Sequence, residues 1–317
     1  MRELSILTPV FNDWESLVLL LRALNELAAQ NDLRLHVTAV DDGSTLPPPA
    51  WDLRGLERIA AFDVVLLARN LGHQRAIAMG LAALNSKDTG APIIVMDGDG
   101  EDQPSDILHL LAEHDKSPGE IIFAQRAKRS EGHLFRVFYI FFKVFFWLLT
   151  GRHITFGNFC LIPAEQLRRV ARLQELWNHF AAGIMHSGLR WRTIPTSRGK
   201  RFAGVSSMNL IALVLHGLSA ISVYIEVVYV RLLSFSFVLM LLDMLAFLVL
   251  VYIRFGTSLA IPGWATSVAV GLTVVMVQAI LFLVLLSFVV LSYRSAKMFI
   301  PAVDYKDYLL HVEHIKS

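Results

Sequence analysis

The segment Val95–Asp106 reads V-M-D-G-D-G-E-D-Q-P-S-D and overlaps a short apolar run, Pro92–Met96, of the kind that forms a buried parallel strand. Asp97, Asp99 and Glu101 alternate along it, and side chains at this spacing share one side of an extended chain. Clustered carboxylates repel one another unless a cation lies among them, and Mg²⁺ or Mn²⁺ carrying a phosphate fits that need. The alternative is an acidic surface turn that caps the following helix.

Repeats of strand, turn and helix surround this segment and predict an α/β fold with a mostly parallel sheet. In such sheets ligands bind at the carboxyl ends of the strands. Three polar turns lie at those ends, at Asp41–Asp42, Asn70–Gly72 and Asp97–Asp102, so we expect them to converge on one site. The strands are expected at 4–10, 35–40, 64–67, 92–96 and 121–124, and the helices at 14–27 and 74–84.

The composition is 55% hydrophobic and 18% charged, and the formal net charge is only +2. So small a positive charge argues against nucleic acid as the main partner. The chain has one cysteine, Cys160, which excludes an internal disulfide and indicates a reducing compartment. The N-terminus shows no long apolar run of a secretory signal, and the apolar residues concentrate after about residue 205. We therefore expect residues 1–207 to form a cytoplasmic catalytic domain.

Four motifs, in order, resemble those of the inverting GT-A glycosyltransferases, specifically the polyprenyl-phosphate branch that includes dolichol-phosphate mannosyltransferase. They are P-V-F-N-D at 9–13, D-D-G-S at 41–44, N-x-G with its helix at 70–80, and D-G-D-G-E-D at 97–102. The resemblance implies a Rossmann-like GT-A fold, a nucleotide-sugar donor and a polyprenyl-phosphate acceptor.

The resemblance, with the expected convergence, assigns a nucleotide pocket to residues at the first three strand ends. These residues are Pro9, Phe11, Asp13, Asp41, Asp42 and Asn70. Asp97 would act as a catalytic residue that faces the sugar-nucleotide, and Asp99 and Glu101 would hold the metal. The family usually has glutamine at position 101, so the extra carboxylate is expected to affect the metal preference.

Basic residues later in the chain would bind phosphate. Arg126 corresponds to an arginine that points into the family's site, so it is expected among the catalytic residues with Asp97, Asp99 and Arg201. A solvated basic turn is the alternative for Arg126. Arg201 opens R-F-A-G-V-S-S, which resembles the family's R-x-x-G-x-S-K with serine in place of lysine, and we expect it to clamp a phosphate. Arg198 and Lys200 beside it would meet the lipid phosphate. Asn158 stands where the family has an acid, so a catalytic acid is not carried over to it.

Two long apolar runs predict a transmembrane hairpin within residues 231–293, with helices at about 232–253 and 267–291. Basic residues are more frequent on the flanks than in the joining loop, which predicts that both termini are cytoplasmic at a bacterial inner membrane. Asp243 lies inside the first run, where a charge is costly unless it faces a partner. We expect a helix–helix contact of Asp243 with Gln278 or with a neighbouring subunit.

Two further apolar segments, at about 134–149 and 208–230, are expected to lie in the membrane interface as amphipathic helices. Arg136 and Lys143 would face the lipid phosphates, and a buried core helix is the alternative for each segment. The tail at 294–317 is expected to be a cytoplasmic segment that packs on a neighbouring subunit. Related two-span members suggest that such a homo-oligomer is a tetramer.

The favoured function is inverting transfer of one sugar from a nucleotide-sugar, expected to carry UDP, to a polyprenyl phosphate for envelope glycans such as lipopolysaccharide. Two alternatives stay open. A processive polysaccharide synthase shares the fold but needs more spans and a Q-x-x-R-W motif, where this chain has S-G-L-R-W at 187–191. A non-catalytic nucleotide-binding adaptor or flippase partner would show no metal-dependent transfer or hydrolysis.

Overall fold

The computed structural model describes residues 1–87, 90–126, 133–197, 199–203, 210–259, 261 and 263–316, and at 126, 133–139 and 210 it describes the backbone alone. These residues form two compact units. The α/β unit comprises residues 1–143, 153–223 and 298–317, and the helical unit comprises residues 144–152 and 224–297.

A mixed, mostly parallel sheet forms the centre of the α/β unit. Its strands in the described part of the chain are Arg2–Val10 (β1), Leu33–Asp41 (β2), Ile59–Leu67 (β3), Ile93–Val95 (β4), Ile121–Arg126 (β5), Cys160–Ile162 (β6), Trp191–Thr196 (β7) and Leu309–Lys316 (β8). They lie in the order β7-β5-β6-β4-β1-β2-β3-β8. Strand β1 pairs in parallel with β2 and β4, and β2 with β3, so the carboxyl ends of the first four strands meet at one edge. Strands β6 and β8 run antiparallel to their neighbours.

Helices cover both faces of this sheet. Of the helices of this unit, Trp14–Gln30 (α1), His73–Lys87 (α2) and Asp106–Lys116 (α3) pack directly on the strands. The unit also contains Ala164–Val170 (α5), Phe180–His186 (α6), Leu210–Ser222 (α7) and Pro301–Asp304 (α10), and His133–Thr150 (α4) continues into the helical unit. Ile6 and Leu7 are neighbours on β1 yet belong to separate apolar cores, because strand side chains alternate between faces. Helix α2 approaches the sheet at Gly80, where any side chain would collide with Leu7.

The predicted α/β fold is confirmed, and each expected strand and helix of the first half of the chain is present. The main difference in this half is that β3 begins at Ile59 rather than at 64. Ala60, Ala61 and Asp63 weaken the apolar pattern of that stretch, which explains why its start was missed.

Residues 298–317 belong to the α/β unit, which corrects the expectation of a separate tail at 294–317. Strand β8 pairs with β3, which would otherwise be an edge strand with unpaired backbone groups. His314 Nδ1 lies 2.6 Å from Asp63 Oδ1, and the ring of Phe299 packs on Trp177 at a centroid distance of 3.9 Å.

The helical unit contains Ile225–Gly256 (α8) and Trp264–Ser295 (α9), both long and apolar enough to cross a membrane by length and composition. The two predicted spans lie within them. The expected single helix over 208–230 is divided in the described residues, since α7 ends at Ser222 and α8 begins at Ile225. The hydroxyl of Ser222 donates to the Ser219 carbonyl at 2.8 Å, a local bond typical of serine near a helix end.

Asp243 is buried on the same face of α8 as Ser236 and Leu250, at a spacing of seven residues. Gln278 is exposed, and in the described part of the chain no hydrogen bond joins it to Asp243. The expected contact between these two side chains is therefore absent there, and contact with a neighbouring subunit stays a prediction.

Candidate active site

The acidic loop after β4 folds around its own carboxylates. The amide of Asp97 donates to Asp102 Oδ2 at 2.9 Å, and the amide of Glu101 donates to Asp99 Oδ1 at 2.9 Å. Helix α3 begins only at Asp106, so Asp102 stabilises the loop rather than capping the helix. The alternative of an acidic capping turn therefore does not describe this loop. Burial raises the pKa of Asp99, and the charges of Asp97 and Glu101 act in the same direction.

Residues 199–203 dock on this acidic loop through backbone hydrogen bonds. The amide of Gly199 donates to the Glu101 carbonyl and the amide of Phe202 donates to the Asp99 carbonyl, both at 2.8 Å. Gly100 has a φ of +86°, and a Cβ there would lie 2.5 Å from the ring of Phe202. Only glycine therefore fits both the backbone conformation and the close approach of that ring.

Docking of this segment brings Arg201 between two carboxylates from different strand ends. Its guanidinium lies 3.0 Å from Asp13 Oδ2 and 3.4 Å from Asp99 Oδ2, while Nε donates to the Ala203 carbonyl at 3.0 Å. The three charged side chains are 18–30% exposed, so they are partly desolvated yet open to solvent. The structure thus places the predicted phosphate-binding arginine beside the acidic loop.

The end of β2 has a structural role. Asp42 is 3% exposed, and its two carboxylate oxygens accept the amides of Leu71 at 2.6 Å and Gly72 at 2.9 Å. Burial raises the pKa of Asp42, while these two hydrogen bonds oppose that shift. Its carboxylate therefore joins the turns after β2 and β3. Gly43 has a φ of +68° and lies so close to the backbone of Arg69 that a Cβ would be 2.5 Å away.

Asn12 was not predicted as a site residue, although it orders the first two strand ends. It has a φ of +55°, which asparagine tolerates better than most residues. Its Oδ1 accepts the amides of Thr45 at 2.8 Å and Leu46 at 2.9 Å, and its own amide donates to Ser44 Oγ at 2.8 Å. Asp41 Oδ1 also accepts the Ser44 amide, at 2.8 Å.

The remaining residues of the predicted nucleotide pocket differ in exposure. Pro9 is buried in β1, Phe11 is 47% exposed just beyond it, and Asn70 is exposed in the turn after β3. Phe11 and Asn70 are thus accessible at neighbouring strand ends. Their contact with a nucleotide stays a prediction.

His73, the first residue of α2, is a second feature that sequence reasoning missed. Its Nε2 lies 3.1 Å from Asp97 Oδ1 and 3.0 Å from Asn158 Nδ2. The side chain of His73 is 44% exposed. Partial desolvation lowers its pKa, but the negative charge and hydrogen bond of Asp97 outweigh that effect, so the net direction is upward. The histidine follows directly on the N-x-G turn, and that position was the available signal.

A pair of histidines lies on the same unit. His179 is 4% exposed, its Nδ1 accepts the amide of Ala182 at 3.2 Å, and its Nε2 lies 3.2 Å from Nε2 of His216. Burial, together with His216, lowers the pKa of His179 to about 3, so the ring is neutral at neutral pH. In the sequence His179 has no metal-type spacing to another histidine, so nothing there marks this contact.

The predicted basic residues are only partly described. Arg198 lies outside the described residues, and so do the side chains of Arg126 and Arg136. Lys143 is exposed on α4, and Lys200 is exposed within the docked segment 199–203. Their contact with lipid phosphate stays a prediction.

The donor set at the acidic loop suits a hard divalent cation only with help from a substrate. Within the described ranges no three His, Cys, Asp or Glu side chains are grouped so as to hold a metal. Magnesium is commonly bound by one or two carboxylates plus substrate phosphates, which matches the chemistry of Asp99 and Glu101. A bound diphosphate would therefore have to supply the missing oxygen ligands.

Comparison with known proteins shows a match to one family model and similarity to curated enzymes. The model of the family described as Glycosyl transferase family 2 matches residues 5–177. An undecaprenyl-phosphate 4-deoxy-4-formamido-L-arabinose transferase of Pseudomonas syringae pv. syringae is 34% identical over 108 residues, which cover 34% of this chain and 31% of that protein. A dodecaprenyl-phosphate galacturonate synthase of Rhizobium johnstonii is 29% identical over 136 residues, which cover 42% of this chain and 39% of that protein.

The matched stretch thus spans well under half the length of these two curated relatives. Among solved structures, mannosyl-3-phosphoglycerate synthase from Rubrobacter xylanophilus aligns with 13% identity and a TM-score of 0.46, covering 70% of this chain and 72% of that one. The family match confirms the resemblance to polyprenyl-phosphate glycosyltransferases. Together with the mostly parallel sheet it also confirms the GT-A fold.

Proposed function

This chain belongs to glycosyl transferase family 2, and from that premise we propose that it transfers a single sugar from a nucleotide-sugar to a polyprenyl phosphate. The observation that carries the proposal is the position of Arg201 between Asp13 and Asp99, at the edge where the parallel strands end. The acceptor class is suggested by the names of the two relatives, since each name contains a polyprenyl phosphate.

The donor diphosphate is proposed to bind where Arg201 meets the acidic loop. A guanidinium presents two parallel N–H donors that suit phosphate oxygens as well as carboxylate oxygens. On donor binding, Arg201 would exchange its carboxylate partners for the diphosphate. Asp99 and Glu101 would hold Mg²⁺ or Mn²⁺ together with the phosphate oxygens, and the ion would neutralise charge on the leaving group.

The acceptor chemistry explains why the site can lack a carboxylate at Asn158. A phosphate monoester is already anionic at neutral pH, so a strong general base is less necessary than for a sugar hydroxyl. The acceptor oxygen would bond to C1 of the sugar as the bond from C1 to the diphosphate breaks and its electron pair leaves with the nucleotide. Attack from the face opposite the leaving group would invert the anomeric centre.

The apolar segments are proposed to hold the enzyme at the lipid phase where a polyprenyl phosphate resides. Helices α8 and α9 would span the bilayer as a hairpin, with the α/β unit on the cytoplasmic side. Helix α7 exposes Ile211, Leu215 and Leu218 on one side, as expected of a helix lying in the interface. A UDP-sugar donor, a homotetramer and a role in envelope glycans are parts of the same proposal.

The test uses the full chain purified in detergent, with Mg²⁺ or Mn²⁺, a short polyprenyl phosphate and a panel of UDP-, GDP- and CDP-sugars. We expect nucleotide release that depends on the lipid and falls at least 100-fold in Asp99→Ala, the order seen when one electrostatic stabiliser is removed. Asp52→Ala, an exposed aspartate paired with Arg54, is the matched control and should keep native activity. Nucleotide binding without any release across the panel would favour a non-catalytic adaptor instead.

A further inference from the structure

Three side chains next to Asp97 form a hydrogen-bonded chain whose direction is fixed at one end. The amide of Phe180, which can only donate, gives its hydrogen to Gln74 Oε1 at 2.7 Å. Gln74 Nε2 must then be its donor, and it lies 3.2 Å from Asn158 Oδ1. Asn158 Nδ2 is therefore turned towards His73 Nε2, 3.0 Å away. This row of hydrogen bonds therefore ends with an N–H group of Asn158 that can donate to the imidazole of His73.

The same imidazole nitrogen also faces a carboxylate. Asp97 Oδ1 lies 3.1 Å from His73 Nε2 and, when ionised, can only accept a hydrogen bond. An imidazole nitrogen carries either a hydrogen or a lone pair, so Nε2 can bond to Asp97 or to Asn158 but not to both. The protonated ring bonds Asp97, and the neutral ring with its hydrogen on Nδ1 bonds Asn158.

We propose that Asn158 is a positioning residue that competes with Asp97 for Nε2 of His73, and thereby sets when the imidazole holds the Asp97 carboxylate in place. This inference rests on the proposed function for its catalytic consequence, because Asp97 is the group expected to face the sugar-nucleotide. It also gives a role to the asparagine that stands where the related family has an acid. An acid there would accept the Nε2 hydrogen as Asp97 does, and would therefore favour the protonated ring instead of opposing it.

Besides the neutral Asn158, several charged groups affect the pKa of His73. Asp97, Asp102 and Asp42 all favour its protonated form. His216 of α7 also interacts electrostatically with His73. Burial and the positive charge of His73 together lower the pKa of His216, which keeps its ring neutral. The negative groups predominate, so the ring is expected to be protonated below neutral pH and to exchange Asp97 for Asn158 as the pH rises.

The test reads His73 directly in the full chain, labelled with ¹⁵N-histidine and purified in detergent without substrates. Its signals are identified by their loss in His73→Gln. In the native protein we expect the neutral ring at alkaline pH to carry its hydrogen on Nδ1. In Asn158→Asp we expect the titration of His73 to move upward by about one pH unit or more, because an added opposite charge stabilises the cation. Asn31→Asp adds the same charge at an exposed helix end and should leave the titration unchanged.

Two results would overturn the proposal. One is a native neutral His73 with its hydrogen on Nε2, since that nitrogen could not then accept from Asn158. The other is a His73 titration that is the same in the native protein and in Asn158→Asp. Asn158→Leu removes the N–H donor without adding charge. In this variant the neutral His73 ring should carry its hydrogen on Nε2, which separates the loss of the donor from an effect of charge alone.

The catalytic consequence is measured separately. In Asn158→Asp the alkaline limb of the pH profile of kcat for lipid-dependent transfer should shift to higher pH, together with the titration of His73. In Asn31→Asp this limb should stay at its native pH. A limb that does not follow the titration would contradict a positioning role for Asn158. A native protein that transfers nothing would count against the proposed function, whereas the spectroscopic result would still decide the contacts of His73.

Discussion

Replacing Asp42 by alanine should destabilise the α/β unit rather than act mainly on nucleotide binding. The carboxylate is 3% exposed and accepts two backbone amides, those of Leu71 and Gly72. Alanine would leave the buried amide of Leu71 and the half-buried amide of Gly72 without this acceptor, and each such loss costs about 1–3 kcal/mol. Because burial raises the pKa of Asp42, ionisation of the buried group already opposes folding and offsets part of the loss. The expected net destabilisation is therefore about 2–4 kcal/mol.

Thermal unfolding of the purified full chain, followed by tryptophan fluorescence at pH 7.5, measures this effect. A loss of 2–4 kcal/mol corresponds to a fall in Tm of about 4–16 °C for a unit of this size. Asp42→Asn keeps one acceptor oxygen, so its Tm should fall by about half as much. Asp52→Ala removes an exposed carboxylate and should unfold with the native protein.

The opposite outcome would refute the structural role of Asp42. If Asp42→Ala unfolded within about 1 °C of the native protein while nucleotide binding was lost, the carboxylate would be a ligand of the nucleotide. The original expectation that Asp42 lines the nucleotide pocket would then be right. Unfolding and binding are therefore measured on the same preparations.

Three further perturbations follow from named contacts. Because the pKa of His179 is lowered to about 3 in the folded chain, the stability it contributes is present above its unfolded pKa of about 6.5 and is lost as the pH falls. His179→Asn, which can still cap α6, should therefore remove about 2 kcal/mol of the stability difference between pH 7 and pH 5 in denaturant titrations. Gly100→Ala should displace the ring of Phe202 and abolish transfer, whereas Gly90→Ala, with a similar positive φ but open space around it, should keep transfer within twofold of native. Deletion of Leu309–Lys316 should expose the edge of the sheet and yield aggregated protein on size-exclusion chromatography.

The convergence of the site could be predicted because its causes are local. An apolar run ending in Asp97 or Asp41 marks the carboxyl end of a strand, and parallel pairing brings such ends together. The acidic loop and the turn at Asn70 were placed correctly on that basis alone. The family resemblance then supplied roles that spacing by itself does not give.

The contacts between distant parts of the chain could not be predicted in the same way. Arg201 meets Asp13 across 188 residues, and the bond depends on how the segment 199–203 docks on the acidic loop. His314 reaches Asp63 across 251 residues through an antiparallel pairing that no turn signal announces. Periodicity identifies an element and its buried face, but it does not say which distant element covers that face.

The pairing of His73 with Asp97 and Asn158 shows the same limit at the level of chemistry. The sequence marks Asp97 as part of a motif, but it marks His73 and Asn158 only as polar residues near motifs. Asp97 and Asn158 both contact Nε2 of His73 because the start of α2, the loop after β4 and the loop before β6 meet at one place. The competition between an acceptor and a donor at Nε2 becomes visible only when the two distances are known.

Transfer of a single sugar to a polyprenyl phosphate is detected directly by mass spectrometry of the lipid product. The full chain is incubated with Mg²⁺, a short polyprenyl phosphate and the nucleotide-sugar that supports release, beside Asp99→Ala. We expect a lipid whose mass exceeds that of the acceptor by one glycosyl residue, with the nucleoside diphosphate formed in equal amount, and neither product in the variant. Nucleotide hydrolysis with an unchanged lipid, or addition of several sugars to one acceptor, would contradict it.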